Sequence, residues 1–121
     1  MKAHLRPAYD RAVQAMESDD FQGARDLLLD LHQQDPEALE ILLFLGYMDG
    51  KLGDLEQQIE TFRKATELKP QFELASLGLF HALWKADRTD EAFDEMRRFL
   101  SQYESEEYTR LLADMKKRWS P

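Results

Sequence analysis

The chain has no cysteine among its 121 residues, only five glycines and four prolines, and no long apolar run. Without cysteine, neither a disulfide framework nor a thiolate metal site can form, and the composition suits a reducing compartment, which points to the cytoplasm. The longest apolar run, Ile41 to Leu45, falls far short of the roughly 20 residues that cross a bilayer, so no membrane partner is expected. The opening Met1-Lys2-Ala3-His4-Leu5-Arg6-Pro7 lacks the apolar core of a secretory signal, which argues against export by that route. Basic charge is also scarce. Sixteen Lys and Arg stand against 24 Asp and Glu for a net charge of −8, and a nucleic-acid binder needs a clustered basic surface. The one basic run, Lys116-Lys117-Arg118, suits the negative end of a final helix.

Signatures of catalysis are missing as well. His4, His32 and His81 lie far apart with no His-Glu-x-x-His pair, so a metal site is unsupported. No serine sits in a Gly-x-Ser-x-Gly elbow, and Gly50-Lys51-Leu52-Gly53 has no Lys-Ser or Lys-Thr to complete a phosphate loop. The abundant carboxylates fit a solvated helix surface with local partners, such as Glu60 with Lys64. The expectation is a non-enzyme without cofactor or metal.

What the chain does have is a period. Pro36 and Pro70 stand 34 residues apart, each closing a polar segment, and the same step overlays residues 23–28 on 57–62 and 91–96. Leu28, Phe62 and Met96 align, as do Ala24 and Ala92. Segments 1–36, 37–70 and 71–104 each carry four basic and seven acidic residues, so the negative charge is spread along the chain. Inside a unit the apolar spacing is helical. Leu39, Leu42, Leu43, Leu45 and Gly46 form one stripe, and Leu55, Ile59, Phe62, Ala65 and Leu68 a second. Gly50, Gly53 and Asp54 break the chain between them, glycine supplying a positive φ and aspartate a cap. Asp35-Pro36-Glu37 reads as a capping acid with proline in the first turn, and Ser105-Glu106-Glu107 repeats the logic. The pattern predicts helices over about 6–17, 20–34, 37–51, 54–68, 72–86, 89–102 and 105–118.

These residues resemble the tetratricopeptide repeat family. The middle unit carries the pattern most fully, with Leu42, Leu45, Gly46, Gly53, Phe62, Ala65 and Pro70 in place. The first unit keeps Ala24, Leu28 and Pro36 but has Ala12 and Asp19 at glycine positions; the third has Phe80, Asp87 and Phe99 at small or glycine positions. The resemblance implies an all-α, right-handed α-solenoid of antiparallel helix hairpins with seven helices. It would be a single domain over 1–121, with repeats at about 5–36, 37–70 and 71–104 and a capping helix at about 105–118. That helix should turn Tyr108, Leu111, Leu112 and Met115 inward and Arg110, Asp114 and Lys117 outward, with the Trp119 ring closing the last layer.

It also implies a concave groove lined by the first helix of each pair, built from Tyr9, Val13 and Met16, then Leu43, Tyr47 and Lys51, then Leu77, His81, Trp84 and Lys85. Tyr47 and Trp84 offer the large amphipathic contacts favoured at binding hot spots, and Lys51 and Lys85 could receive an acidic group. The carboxylate clamp of some family members is not matched, because Tyr9, Val13 and Tyr47 stand where lysine and asparagine would be needed. The expected function is a non-catalytic adaptor or chaperone-like binder holding a partner peptide or helix. The alternatives are an acidic immunity-type inhibitor of a basic toxin or enzyme, motivated by the charge, and a scaffold that pairs with its own copy as a homo-oligomer.

Overall fold

The computed structural model describes residues 1–118 and the backbone of Trp119, so the packing expected of the Trp119 ring lies outside the described residues. A short 3-10 turn, Ala3–Leu5, leads into seven helices among the described residues: α1 Arg6–Glu17, α2 Phe21–Gln34, α3 Leu39–Lys51, α4 Leu55–Leu68, α5 Glu73–Lys85, α6 Thr89–Leu100 and α7 Glu106–Trp119. Helices from α1 to α6 each pack on their neighbours in sequence, and α3 also meets α5, so the first helices of successive hairpins stack on one another.

The hairpin turns repeat at the sequence period. Asp19, Gly53 and Asp87 have φ of 62°, 76° and 60°. The next amide in each turn donates back to the last turn of the preceding helix: Asp20 to Ala15 O, Asp54 to Asp49 O and Arg88 to Leu83 O, at 2.8, 3.0 and 2.9 Å. This six-residue closure satisfies carbonyls a helix end would leave open. Aspartate tolerates the left-handed conformation better than most residues, which is why the first and third units keep the turn without glycine. Asp20 and Asp54 then cap α2 and α4, accepting from the amides of Gly23 and Gln57 at 2.9 and 3.2 Å. At the equivalent place α6 has Arg88, whose guanidinium instead binds Glu91 and reaches Glu56 of α4 at 3.2 Å.

The start of α3 corrects the sequence reading. Pro36 and Glu37 form a turn closed by Ala38 N–H to Asp35 O at 3.2 Å, and the helix begins at Leu39 with Ala38 as its cap residue. The Asp35 carboxylate accepts from the backbone of Lys2 instead of capping α3. Phe72 closes onto Lys69 O in the same way before α5. Ser105 does cap α7, through Tyr108 N–H to its hydroxyl at 3.1 Å. Glu60 and Lys64 form no ion pair among the described residues.

Phe62 is the wedge of the stack. A Cβ placed on Gly46 of α3 or Gly78 of α5 would lie 2.8 or 2.6 Å from its ring, so both glycines exist to let the aromatic sit between the two helices. At the register position of Gly46 the third unit has Phe80, which turns the wedge into an aromatic cluster. Phe80 meets Tyr108 edge-on at 5.6 Å, and Phe99 lies 5.8 Å from the same ring. The capping helix therefore covers the bulky residues. Tyr108 is fully buried; Leu111, Leu112 and Met115 are half-buried; Arg110, Asp114 and Lys117 are exposed.

Two buried polar networks fix the angles between hairpins. Asp49 of α3, fully buried, accepts from Arg25 of α2 at 2.7 Å and from Thr61 of α4 at 2.9 Å. Burial pushes its carboxyl up from the ordinary value, against the pull of both partners. The second network joins α5, α6 and α7. Arg98 binds Glu95 with two bonds of 2.8 and 2.6 Å, leaving Glu95 an acceptor for the Ser76 hydroxyl at 2.6 Å. Ser76 has one proton, so across their 2.7 Å contact Tyr108 must donate to Ser76. Burial holds the Tyr108 hydroxyl well above the usual tyrosine range, keeping that proton in place.

Candidate binding groove

The first helices α1, α3 and α5 share one periodicity, so residues spaced by 34 occupy equivalent places on the side they present together. Between α1 and α3 that side opens into a depression of about 460 Å³ lined by Tyr9, Val13, Met16, Glu40, Leu43, Phe44 and Tyr47. Its walls are almost wholly apolar. Tyr9 meets Phe44 edge-on at 5.6 Å, an arrangement that uses the positive ring edge against the negative face. Arg6 lies over the outer side of Tyr9 at 5.4 Å. Burial and the nearby Glu40 raise the Tyr9 hydroxyl above its ordinary value, so it stays a neutral donor. Tyr47 keeps 52% of its surface exposed, and Lys51 lies over its ring at 5.3 Å and over Phe21 at 5.9 Å.

A second depression of about 230 Å³ lies between α5 and α7, lined by Phe80, His81, Trp84, Leu111, Asp114, Met115 and Arg118. Trp84 is half-buried there, stacked on Phe80 at 5.9 Å and edge-on to Phe93 at 5.8 Å. Much of its ring is thus committed to the fold, whereas the exposed His81 touches Phe80 only by an edge contact at 5.5 Å. Between the depressions Leu43 and Leu77 pack onto the core, filling the α3/α5 step.

Of the residues picked from sequence, Tyr9, Val13, Met16, Leu43 and Tyr47 come together in the first depression, and His81 and Trp84 in the second. Leu77 lies between them, and Lys51 and Lys85 are exposed in the last turns of α3 and α5. Sequence reasoning missed Glu40 and Phe44 in the first depression, and the exposed Leu74 outside both. Glu40 and Phe44 flank Leu43 at helical spacing, which is a usable signal. Leu74 is 34 residues after Glu40 and is 63% exposed, the most open large hydrophobic among the described residues. Leu111 and Met115 were read as core, yet they also line the second depression.

Residues 39–72 match the family model of the tetratricopeptide repeat. The α3/α4 hairpin is a tetratricopeptide repeat. No curated protein matches the sequence. Among solved structures, the type III secretion chaperone SycD of Yersinia enterocolitica, in complex with a peptide of the translocator YopD, is 14% identical. It superposes with a TM-score of 0.78 over 97% of this chain and 90% of its own. A point mutant of MamA is 17% identical, with a TM-score of 0.73 over 86% of this chain and 76% of its own. A further MamA structure is 26% identical, with a TM-score of 0.69 over 74% of this chain and 53% of its own. The tetratricopeptide-type architecture, a right-handed α-solenoid of antiparallel helix hairpins, therefore extends on both sides of the matched repeat. Among the described residues no helix is long and apolar enough to cross a membrane, and no group of three or more His, Asp or Glu is placed to hold a metal.

Proposed function

We propose that the protein is a non-catalytic binding module, an adaptor or chaperone-like holder of one apolar segment of a partner protein. The observation that carries this reading is the depression between α1 and α3: seven residues from two first helices form an apolar hollow whose only carboxylate is Glu40, with Tyr47 open at its edge. Apolar hollows with an exposed aromatic are where binding energy concentrates. The SycD structure, which holds a peptide of its translocator, supports the idea that this architecture serves such a role. The absence of cysteine agrees with work in the cytoplasm.

The test is affinity capture from native extract by the wild-type protein and by a Val13→Ser/Tyr47→Ser variant of unchanged helicity. The expected partner is lost by the variant and retained by wild type at high salt. A partner that binds both alike would refute the groove reading.

A specific feature favours the inhibitor alternative as a second reading. Asp26, Glu60 and Asp94 stand 34 residues apart, all exposed, one on each second helix. They repeat at one register position of α2, α4 and α6, with Asp94 also paired to Arg97 at 2.5 Å. A basic partner docked there would dissociate steeply with salt and would be insensitive to the Tyr47 substitution.

A further inference from the structure

The second depression brings an unexpected member into the repeat. The cap residue of α7, Ser105, follows that of α5, Phe72, by 33 residues, and burial follows the same step: Ile41, Ala75 and Tyr108 are all buried. In this register Lys51, Lys85 and Arg118 are equivalent. Each is exposed, each lies in the last turn of its helix, and among the described residues none makes an ion pair. In a chain of net charge −8, three cations thus stand at one repeat position, in the last turns of α3, α5 and α7. The bland account is that they offset the negative helix ends. That account does not explain why α1 ends on Glu17 at the same register position, where α3, α5 and α7 carry a cation.

Resting on the groove reading above, we propose that the occupant is an amphipathic α-helix lying along the stack, with a row of carboxylates on one flank that meets Lys51, Lys85 and Arg118. The spacing selects the helix. Packed helices stand roughly 8–10 Å apart, so successive cations recur at about that interval. A helix rises about 10.5 Å in seven residues and returns the same face. Its apolar positions and its carboxylates at i, i+7 and i+14 therefore stay in register with each step of the stack. An extended strand covers about 10 Å in three residues, which puts successive carboxylates on opposite faces. Asp114 lies one turn before Arg118 in the same depression, so Lys51 and Lys85 carry most of the selectivity.

The experiment uses three synthetic helical peptides of about 18 residues with one shared apolar face, carrying Glu, Gln or Lys at the three flank positions. Each is titrated into the full chain in about 0.15 M salt, where the Debye length is about 8 Å and the remote carboxylates are screened. The wild-type protein should bind the Glu peptide about tenfold more tightly than the Lys peptide, as two to three exposed pairs imply. A Lys51→Glu/Lys85→Glu variant should invert that order. Equal affinities for all three, with Tyr47→Ser weakening each, would overturn the acidic flank and leave the groove standing. Absence of binding, or binding indifferent to Tyr47→Ser, would remove the groove reading and this proposal together.

Discussion

At the scale of single residues, the three hairpin turns measure what a left-handed backbone costs. Nothing lies within 4 Å of a Cβ built on Gly53, where φ is 76°, so Gly53→Ala should destabilise by about 1 kcal/mol through backbone conformation alone. The reverse substitution Asp87→Gly, at φ 60°, should be neutral to stabilising by up to about 1 kcal/mol, both read by denaturant unfolding. Gly46→Ala belongs to another class, because its Cβ would collide with Phe62. Overpacking there should cost about 1–3 kcal/mol. His32 supplies a pH dependence. Among the described residues its buried Nδ1 has no hydrogen-bond partner, and burial, with Lys64 adding to it, lowers the imidazole from its ordinary 6.5. The folded state then holds fewer protons than the unfolded one, so stability is full above about 6.5 and is lost as pH falls below it. His32→Gln should flatten the difference between thermal melts at about pH 7.5 and about pH 5.5.

At the scale of elements, α7 is held by one side chain more than any other. Tyr108 fills the aromatic cluster of Phe80 and Phe99 and closes the relay through Ser76 to Glu95 and Arg98. Tyr108→Phe should cost about 1 kcal/mol, since Ser76 keeps Glu95. Tyr108→Ala should cost about 3–5 kcal/mol and raise hydrogen exchange in α7 before the other helices. The helices themselves were legible from the apolar period and from Gly53, Asp54 and Ser105, which act locally. The start of α3 was not, because a proline after an acid can open a helix or sit in a turn before it, and closure onto Asp35 depends on where the chain must re-enter the stack. Asp49 was equally illegible. A carboxylate on a helix is read as exposed unless Arg25 and Thr61, 24 residues before and 12 after, are known to converge on it. Repeat register was enough to bring Tyr9, Val13 and Tyr47 to one depression. The half-burial of Trp84 was not legible, because it depends on Phe80 occupying a small-residue place.

At the scale of the whole molecule, the outer faces of α1 and α7 are open to solvent among the described residues. Where α3 buries Ile41, Leu45 and Met48, α1 presents exposed Pro7, Arg11 and Gln14. Where α5 buries Ser76, Phe80 and Leu83, α7 presents exposed Thr109, Ala113 and Lys116. Exposed Arg11, Gln14, Thr109 and Lys116 disfavour end-to-end packing of two copies, so sedimentation over a wide concentration range should show no growing series of species; self-pairing through the groove would instead disappear with Tyr47→Ser. This leaves the apolar hollow between α1 and α3 as the surface on which the account depends. Its most direct test is photo-crosslinking in native extract from a reactive residue at position 47, with position 60 on the opposite side as the comparison. The account predicts a discrete partner captured from position 47 and absent from position 60. Capture from position 60 alone would contradict it.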